Sequence, residues 1–173
     1  MSPRNEPMSH NYAIPALIER MAADLKQQIS IDAQTVMIGI HTGGLWVAEA
    51  LHRLLALKEP LGALDISFYR DDFTRIGMNP QVKPSQLPFS LEDRHIILVD
   101  DVLHTGRTIR AAMNELFDYG RPASISLAVL VERGRRELPI EACVTGIKIE
   151  LAEDEHVKLC GPEPLELEVR KQS

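Results

Sequence analysis

The sequence predicts an α/β domain, a mostly parallel sheet flanked by helices with a small cap. Three observations carry this. The runs Thr35-Val36-Met37-Ile38-Gly39-Ile40, His95-Ile96-Ile97-Leu98-Val99 and Ser124 to Val131 are apolar with little alternation, as in strands buried on both faces. Segments with helical spacing alternate with them, which implies parallel strands joined by crossover helices. Two short loops rich in Gly and Thr follow such strands and open helices, where α/β sheets place ligands.

The elements follow in order. Ile14, Leu17, Ile18, Met21, Ala22, Leu25 and Ile29 fall at helical spacing. Thr35 to Ile40 is the first buried strand. Leu45 to Leu57 is a helix with one apolar face, and Leu64 to Tyr69 is a strand that runs into Arg70-Asp71-Asp72. Residues 74–90 hold Gly77, Pro80, Pro84 and Pro88 with few apolar groups, and are expected to form a flexible lid. The next strand and the helix Thr108 to Leu116 enclose the most informative loop. Ile147 to Leu151 and Leu165 to Val169 alternate with period two, so they are expected to be half-buried strands of the cap.

Composition sets bounds. A chain of 173 residues, 45% hydrophobic and 25% charged, can bury a substantial core, and we read residues 1–173 as a single domain. No apolar run approaches the length of a membrane-spanning helix. Residues 1–11 lack the apolar segment of a signal peptide and read as a disordered lead. Cys143 and Cys160 fit no zinc or CxxC spacing, which suits a cytoplasmic protein with reduced thiols. A net charge of −6 gives no general pull toward nucleic acid, so an RNA site would have to be a local patch.

The chemistry concentrates after Val99. Asp100 and Asp101 end the apolar run, and His104-Thr105-Gly106-Arg107-Thr108 follow. Two hydroxyls, a guanidinium and the backbone N–H groups of a helix start suit one phosphate, and Gly106 permits close approach. Two carboxylates repel phosphate but accept hydrogen bonds from neighbouring hydroxyls and help hold Mg²⁺. The combination fits a ribose 5-phosphate. A second loop, His41-Thr42-Gly43-Gly44, follows the first core strand and suits a second anion. Arg70 stands beyond a strand, where a guanidinium can neutralise charge on a leaving group. Neither a nucleophile elbow nor a Walker A sequence occurs, so covalent catalysis has no candidate.

The stretch Ile96 to Thr108 resembles the phosphoribosyl-pyrophosphate (PRPP) motif of type I phosphoribosyltransferases. Asp65 to Phe73, Val99 to Thr108, Gly120 to Ile125 and Leu127 to Ile140 resemble the PyrR family more closely, over roughly residues 13–145. Those proteins are uracil phosphoribosyltransferases, and many regulate pyrimidine operons by binding RNA. The resemblance implies the type I phosphoribosyltransferase fold, PRPP with uracil or UMP as ligands, Mg²⁺ as cofactor, and assembly into a homo-oligomer. It places Asp100, Asp101 and Arg70 in catalysis. Asp100, Asp101 and His104 to Thr108 would bind PRPP, and Asp100 and Asp101 would assist the metal. His41 to Gly44 and Arg70 would meet pyrophosphate, with Gly43 standing where the family usually carries a basic residue. Arg133 and Gly134 would face the base. The family's RNA face corresponds to Arg20, Arg135 and Arg136, but Glu19 and Glu141 lie among them, so RNA regulation ranks below transferase activity. A purine-type transferase would share the PRPP end, and the Leu127 to Ile140 match argues against it.

Overall fold

The computed structural model describes residues 11–66 and 85–172. The elements are α1 (Ile14–Gln28), β1 (Thr35–Ile40), α2 (Gly43–Leu55), β2 (Gly62–Leu64), β3 (His95–Leu103), α3 (Arg107–Tyr119), β4 (Ser124–Arg133), β5 (Val144–Ile149), β6 (Glu155–Cys160) and β7 (Glu166–Lys171). Five strands form one parallel sheet in the order β2-β1-β3-β4-β5, and β6 and β7 form an antiparallel pair.

The apolar runs explain the centre of the sheet. Every residue of β1 is buried, and so are Ile96 to Asp100 of β3. Because strand side chains alternate, each run feeds two cores. Met37, Ile97 and Val99 join a cluster with α1, α2 and the β6–β7 pair. Val36, Ile38, Ile96 and Leu98 join one with α3. The helices supply matching stripes, Ile14, Ile18, Met21, Ala22 and Leu25 on α1 and Ile109, Ala112 and Leu116 on α3. Helices therefore cover both faces.

Several expected boundaries move. The helix expected from Leu45 begins at Gly43, so the Gly pair belongs to its first turn. The strand expected over Leu64 to Tyr69 is found at Gly62–Leu64 among the described residues, paired to β1, and Ser67 to Tyr69 lie outside them. The stretch Ile147 to Leu151 was expected in the cap. Instead β5 extends the main sheet beside β4, because Val144 and Gly146 are buried against its neighbours. The cap is a hairpin whose first strand, β6, shows only a short alternation, Val157-Lys158-Leu159, and was not among the expected strands. Its Val157, Leu159, Leu167 and Val169 reach the α1–α2 core, and Trp46 of α2 lies against Gly161 of its turn.

Of the expected lid, residues 74–84 lie outside the described residues. Within its remainder, Gln86 exchanges two backbone hydrogen bonds with Ala63, both 2.8 Å. The Ser85 hydroxyl accepts from the Asp65 N–H at 3.0 Å and donates to Glu115 of α3 at 3.1 Å.

Candidate active site

The strand order creates the site. The chain leaves β1 toward β2 on one side and returns to β3 on the other, so β1 and β3 flank the point where the order reverses. The helices that follow them, α2 and α3, pack on opposite faces. Their N-termini part at the carboxyl edge of the sheet and leave a crevice there. The loops His41–Gly44 and His104–Thr108 form its two walls.

Asp100 and Asp101 lie at the bottom. Asp100 is 2% exposed, an unusual position for a carboxylate. One oxygen of Asp100 accepts the Asp101 N–H at 2.9 Å, and one oxygen of Asp101 accepts the Val102 N–H at 2.9 Å. These local bonds orient both carboxylates.

The first turn of α2 presses on this pair. A Cβ placed on Gly43 would lie 2.2 Å from Oδ2 of Asp101. One placed on Gly44 would lie 2.7 Å from the Val99 carbonyl and 3.0 Å from Oδ1 of Asp100. Neither position has room for a side chain while the carboxylates stay where they are. Asp101 thus lies directly against the start of α2. The Thr42 side chain makes no capping hydrogen bond, and α2 has no acidic residue in its own first turn. The carboxylates of Asp100 and Asp101 therefore stand against that positive helix end. The His41–Thr42 peptide is cis, and the His41 N–H donates to the Leu64 carbonyl at 2.9 Å.

The opposite wall is built around Gly106. Its φ of 94° is in the left-handed region, and its Cα faces Leu138 and Ile140. The Thr105 hydroxyl accepts the Arg107 N–H at 3.2 Å. Arg107 donates through Nε to Glu137 at 2.8 Å, with both side chains about half exposed.

Sequence reasoning missed how the turn after β4 fastens this wall. The Thr105 carbonyl accepts the N–H groups of Glu137 at 3.0 Å and Leu138 at 3.1 Å. Arg136 donates to the His104 carbonyl, and its other amino group pairs with Glu132 at 2.9 Å. Thr145 of β5 donates to the second oxygen of Glu132 at 3.0 Å. The ends of β3, β4 and β5 are thereby tied together. Glu132 ends a strand and Arg136 lies in the turn after it, so no periodicity in the sequence marked the pair.

The base-facing candidates Arg133 and Gly134 lie at that same turn. Arg133 is 7% exposed, and Gly134 is exposed with nothing near its Cα. The ladder that pairs Leu103 with Glu132 brings His104 level with Arg133. Burial, then the Arg133 guanidinium, push the His104 imidazole below the usual histidine range, with Arg135 and Arg136 adding to this and Glu137 opposing it. Arg70 lies outside the described residues. The remaining candidates, from three loops well separated in sequence, meet at one edge of the sheet.

The phosphoribosyl transferase domain family matches residues 8–164. A protein of Nitrosococcus oceani named Bifunctional protein PyrR is 59% identical over 95% of this chain and 94% of its own length. The chain belongs to the PyrR family. The protein of that name from Pseudomonas aeruginosa is 58% identical over 88% of this chain and 91% of its own length. Among solved structures, a hypoxanthine phosphoribosyltransferase from Staphylococcus aureus superposes with a TM-score of 0.67 at 21% identity, covering 96% of this chain and 92% of that one. A hypoxanthine-guanine phosphoribosyltransferase from Bacillus anthracis gives 0.65 at 17% identity, covering 83% of each chain. At those identities the likeness concerns the fold, and it agrees with the type I phosphoribosyltransferase architecture expected from the sequence.

Proposed function

We propose that the chain transfers the 5-phosphoribosyl group of PRPP to uracil, giving UMP and pyrophosphate. The observation that carries the reading is the crevice at the β1/β3 reversal, with a carboxylate pair at its bottom and a helix start on each wall. PRPP presents a phosphate at each end and hydroxyls between, and this order of groups matches. Thr105 to Thr108 would hold the 5-phosphate with the α3 N-terminus. Asp100 and Asp101 would accept from the ribose hydroxyls. His41 to Gly44 and Arg70 would meet pyrophosphate, and Arg133 and Gly134 would face the base.

Mg²⁺ fits as a substrate-borne ion. Among the described residues no cluster of three or more metal-ligating side chains occurs, so none of them forms an all-protein cage. Mg²⁺ is commonly held by one or two carboxylates together with substrate phosphates and water. Asp100 and Asp101 provide such a pair. When bound, the ion would neutralise charge on the leaving pyrophosphate. The protein's own part is to position two substrates and keep out water, with residues 74–90 closing over the site.

A cytoplasmic setting belongs to the same proposal, supported by two free cysteines. So does self-association, for which the exposed Phe117 and Tyr119 of α3 offer apolar surface.

A nucleotide-sensing RNA regulator is the second reading, favoured by family membership. The arginines it needs are engaged elsewhere. Arg20 donates to the Gly146 carbonyl, Arg136 is tied to His104 and Glu132, and Arg135 pairs with Glu153 at 3.2 Å. The deciding experiment is a base-specificity assay with PRPP and Mg²⁺. UMP formation from uracil, with no product from hypoxanthine or guanine, is expected. Absence of UMP would overturn the transferase reading.

A further inference from the structure

The turn after β4 holds the phosphate loop by its backbone, and a residue of β5 holds the turn. Two consecutive carbonyls at the start of the loop are taken by that turn. The His104 carbonyl accepts from Arg136, and the Thr105 carbonyl accepts the N–H groups of Glu137 and Leu138. The N–H groups suited to a phosphate come next, at Gly106 to Thr108. Where the turn stands therefore decides where those donors point.

Arg136 has a long, flexible side chain, so something must fix its guanidinium for it to steady a carbonyl. Glu132, at the end of β4, does this: Oε1 accepts from Arg136 at 2.9 Å. A carboxylate held by one oxygen can still swing about its last torsion, which has a broad minimum. Here the second oxygen, Oε2, accepts the Thr145 hydroxyl at 3.0 Å. Thr145 sits in β5, paired level with Val129 of β4, and its branched side chain is stiff. The Glu132 and Arg136 side chains are only 20% and 23% exposed, so water competes weakly for these bonds. A strand-borne hydroxyl thus fixes a carboxylate, the carboxylate fixes a guanidinium, and the guanidinium holds the carbonyl that leads into the phosphate loop.

We propose that Thr145 is a positioning residue for the 5-phosphate end of PRPP, acting through Glu132 and Arg136. The proposal rests on the phosphate-loop assignment made above. Its effect belongs to one end of the substrate. Pyrophosphate is assigned to His41–Gly44 on the opposite wall, and none of the bonds from Thr145 to His104 runs to that loop.

The test uses the full chain. Thr145→Val keeps the branched shape and removes the donor, so its melting midpoint should stay close to that of the wild type. Its KM for PRPP should rise about three- to tenfold, the equivalent of one net hydrogen bond. Its kcat at saturating PRPP should stay within about twofold, the pattern of a lost ground-state contact. By calorimetry, its affinity for ribose 5-phosphate should fall by the same factor as KM rises, and its affinity for pyrophosphate with Mg²⁺ should not change. Thr145→Ser restores the hydroxyl and should restore the KM. Arg136→Ala/Thr145→Val should bind ribose 5-phosphate no worse than Arg136→Ala, because both changes cut one path. An unchanged KM in Thr145→Val, equal weakening of ribose 5-phosphate and pyrophosphate, no rescue by Thr145→Ser, or additive losses in the double variant would each overturn the positioning role. A wild type that binds ribose 5-phosphate but makes no UMP would overturn the transferase reading alone, with the calorimetry still deciding Thr145. A wild type that binds no ribose 5-phosphate would overturn both.

Discussion

At the residue scale, the close approach of Gly43 to Asp101 is the most consequential feature of the site. The space that a side chain at Gly43 would take belongs to a carboxylate. Asp101→Asn and Asp100→Asn should each lower kcat by about 10²–10³ with the fold intact, since loss of one preorganised electrostatic group has that effect. Gly43→Ala makes a sharper prediction. The added Cβ meets Oδ2 of Asp101 at 2.2 Å and its Cβ at 3.0 Å, so the carboxylate must turn away and the backbone beside it give slightly. The melting midpoint should then change little while kcat/KM falls nearly as far as in Asp101→Asn. The double variant Gly43→Ala/Asp101→Asn should be no worse than Asp101→Asn alone, because both changes remove the same group. Additive losses in that cycle would show that Gly43 matters for another reason.

At the scale of elements, the tie between the turn after β4 and the phosphate loop should matter more than its exposure suggests. Arg136→Ala removes the donor to the His104 carbonyl and leaves Glu132 half-buried without its cation. A stability loss of about 1–3 kcal/mol is expected, as for breaking a partly buried charged hydrogen bond. The KM for PRPP should rise with it, and urea melts with PRPP titrations check both. Ser85 and Gln86 are pinned to Asp65, Glu115 and Ala63, so the proposed lid is tested before them: PRPP with Mg²⁺ should slow proteolysis within residues 74–84, and equal cleavage with and without ligand would remove the lid. These elements also show what a sequence reveals. β1 and β3 were legible because their runs are apolar on both faces. The phosphate loop was legible because its chemistry is local, five consecutive residues. The role of β5 was not legible, because its half-buried pattern suits either a cap or a sheet edge. The packing of Asp101 on Gly43 was equally hidden, since it joins residues 58 apart and depends on the angle at which α2 leaves β1. The fastening by Arg136 was hidden as well, since it joins a strand end to the turn after it and follows no periodic pattern.

At the same scale, one carboxylate near the expected lid should report on pH. Glu115 of α3 receives the Ser85 hydroxyl, and its other oxygen is buried without a hydrogen-bond partner among the described residues. Burial pushes its carboxyl above the usual range; the Ser85 hydrogen bond opposes this, and Asp65 and Asp118 reinforce it. The folded state therefore binds the proton more tightly than the unfolded chain does. The sign follows from linkage: stability falls as pH rises from the ordinary carboxylate value through the raised one. Glu115→Gln keeps an acceptor for Ser85 and carries no charge. Its melting midpoint should lose that slope and exceed the wild-type value at pH 7. A wild-type midpoint that rises across this window would contradict the assignment.

For the whole molecule, the charge distribution sets the expectation for RNA. The net charge is −6, so long-range attraction to a polyanion is absent and a local patch must do the work. The three arginines that could build one are each engaged within the fold. Arg20 bridges α1 to β5 through the Gly146 carbonyl, and Arg136 lies inside the phosphate-loop tie. Arg135, about half exposed, faces the more exposed Glu153. Releasing Arg20 or Arg136 to contact phosphates would break the bonds that hold β5 or the crevice wall. Only Arg135 could turn outward cheaply, because exposed ion pairs contribute little. A single phosphate contact gives a shallow salt dependence, with a slope near −0.7 per contact on single strands. We therefore expect binding to a pyrimidine-operon leader RNA to be weaker than about micromolar at physiological salt, with a slope near one contact and no preference over a scrambled sequence. Arg135→Ala should flatten the remaining slope and leave uracil turnover unchanged. A nanomolar dissociation constant tightened by UMP would mean that nucleotide binding rearranges the turn after β4 and frees Arg136, making RNA regulation a primary function of the same site.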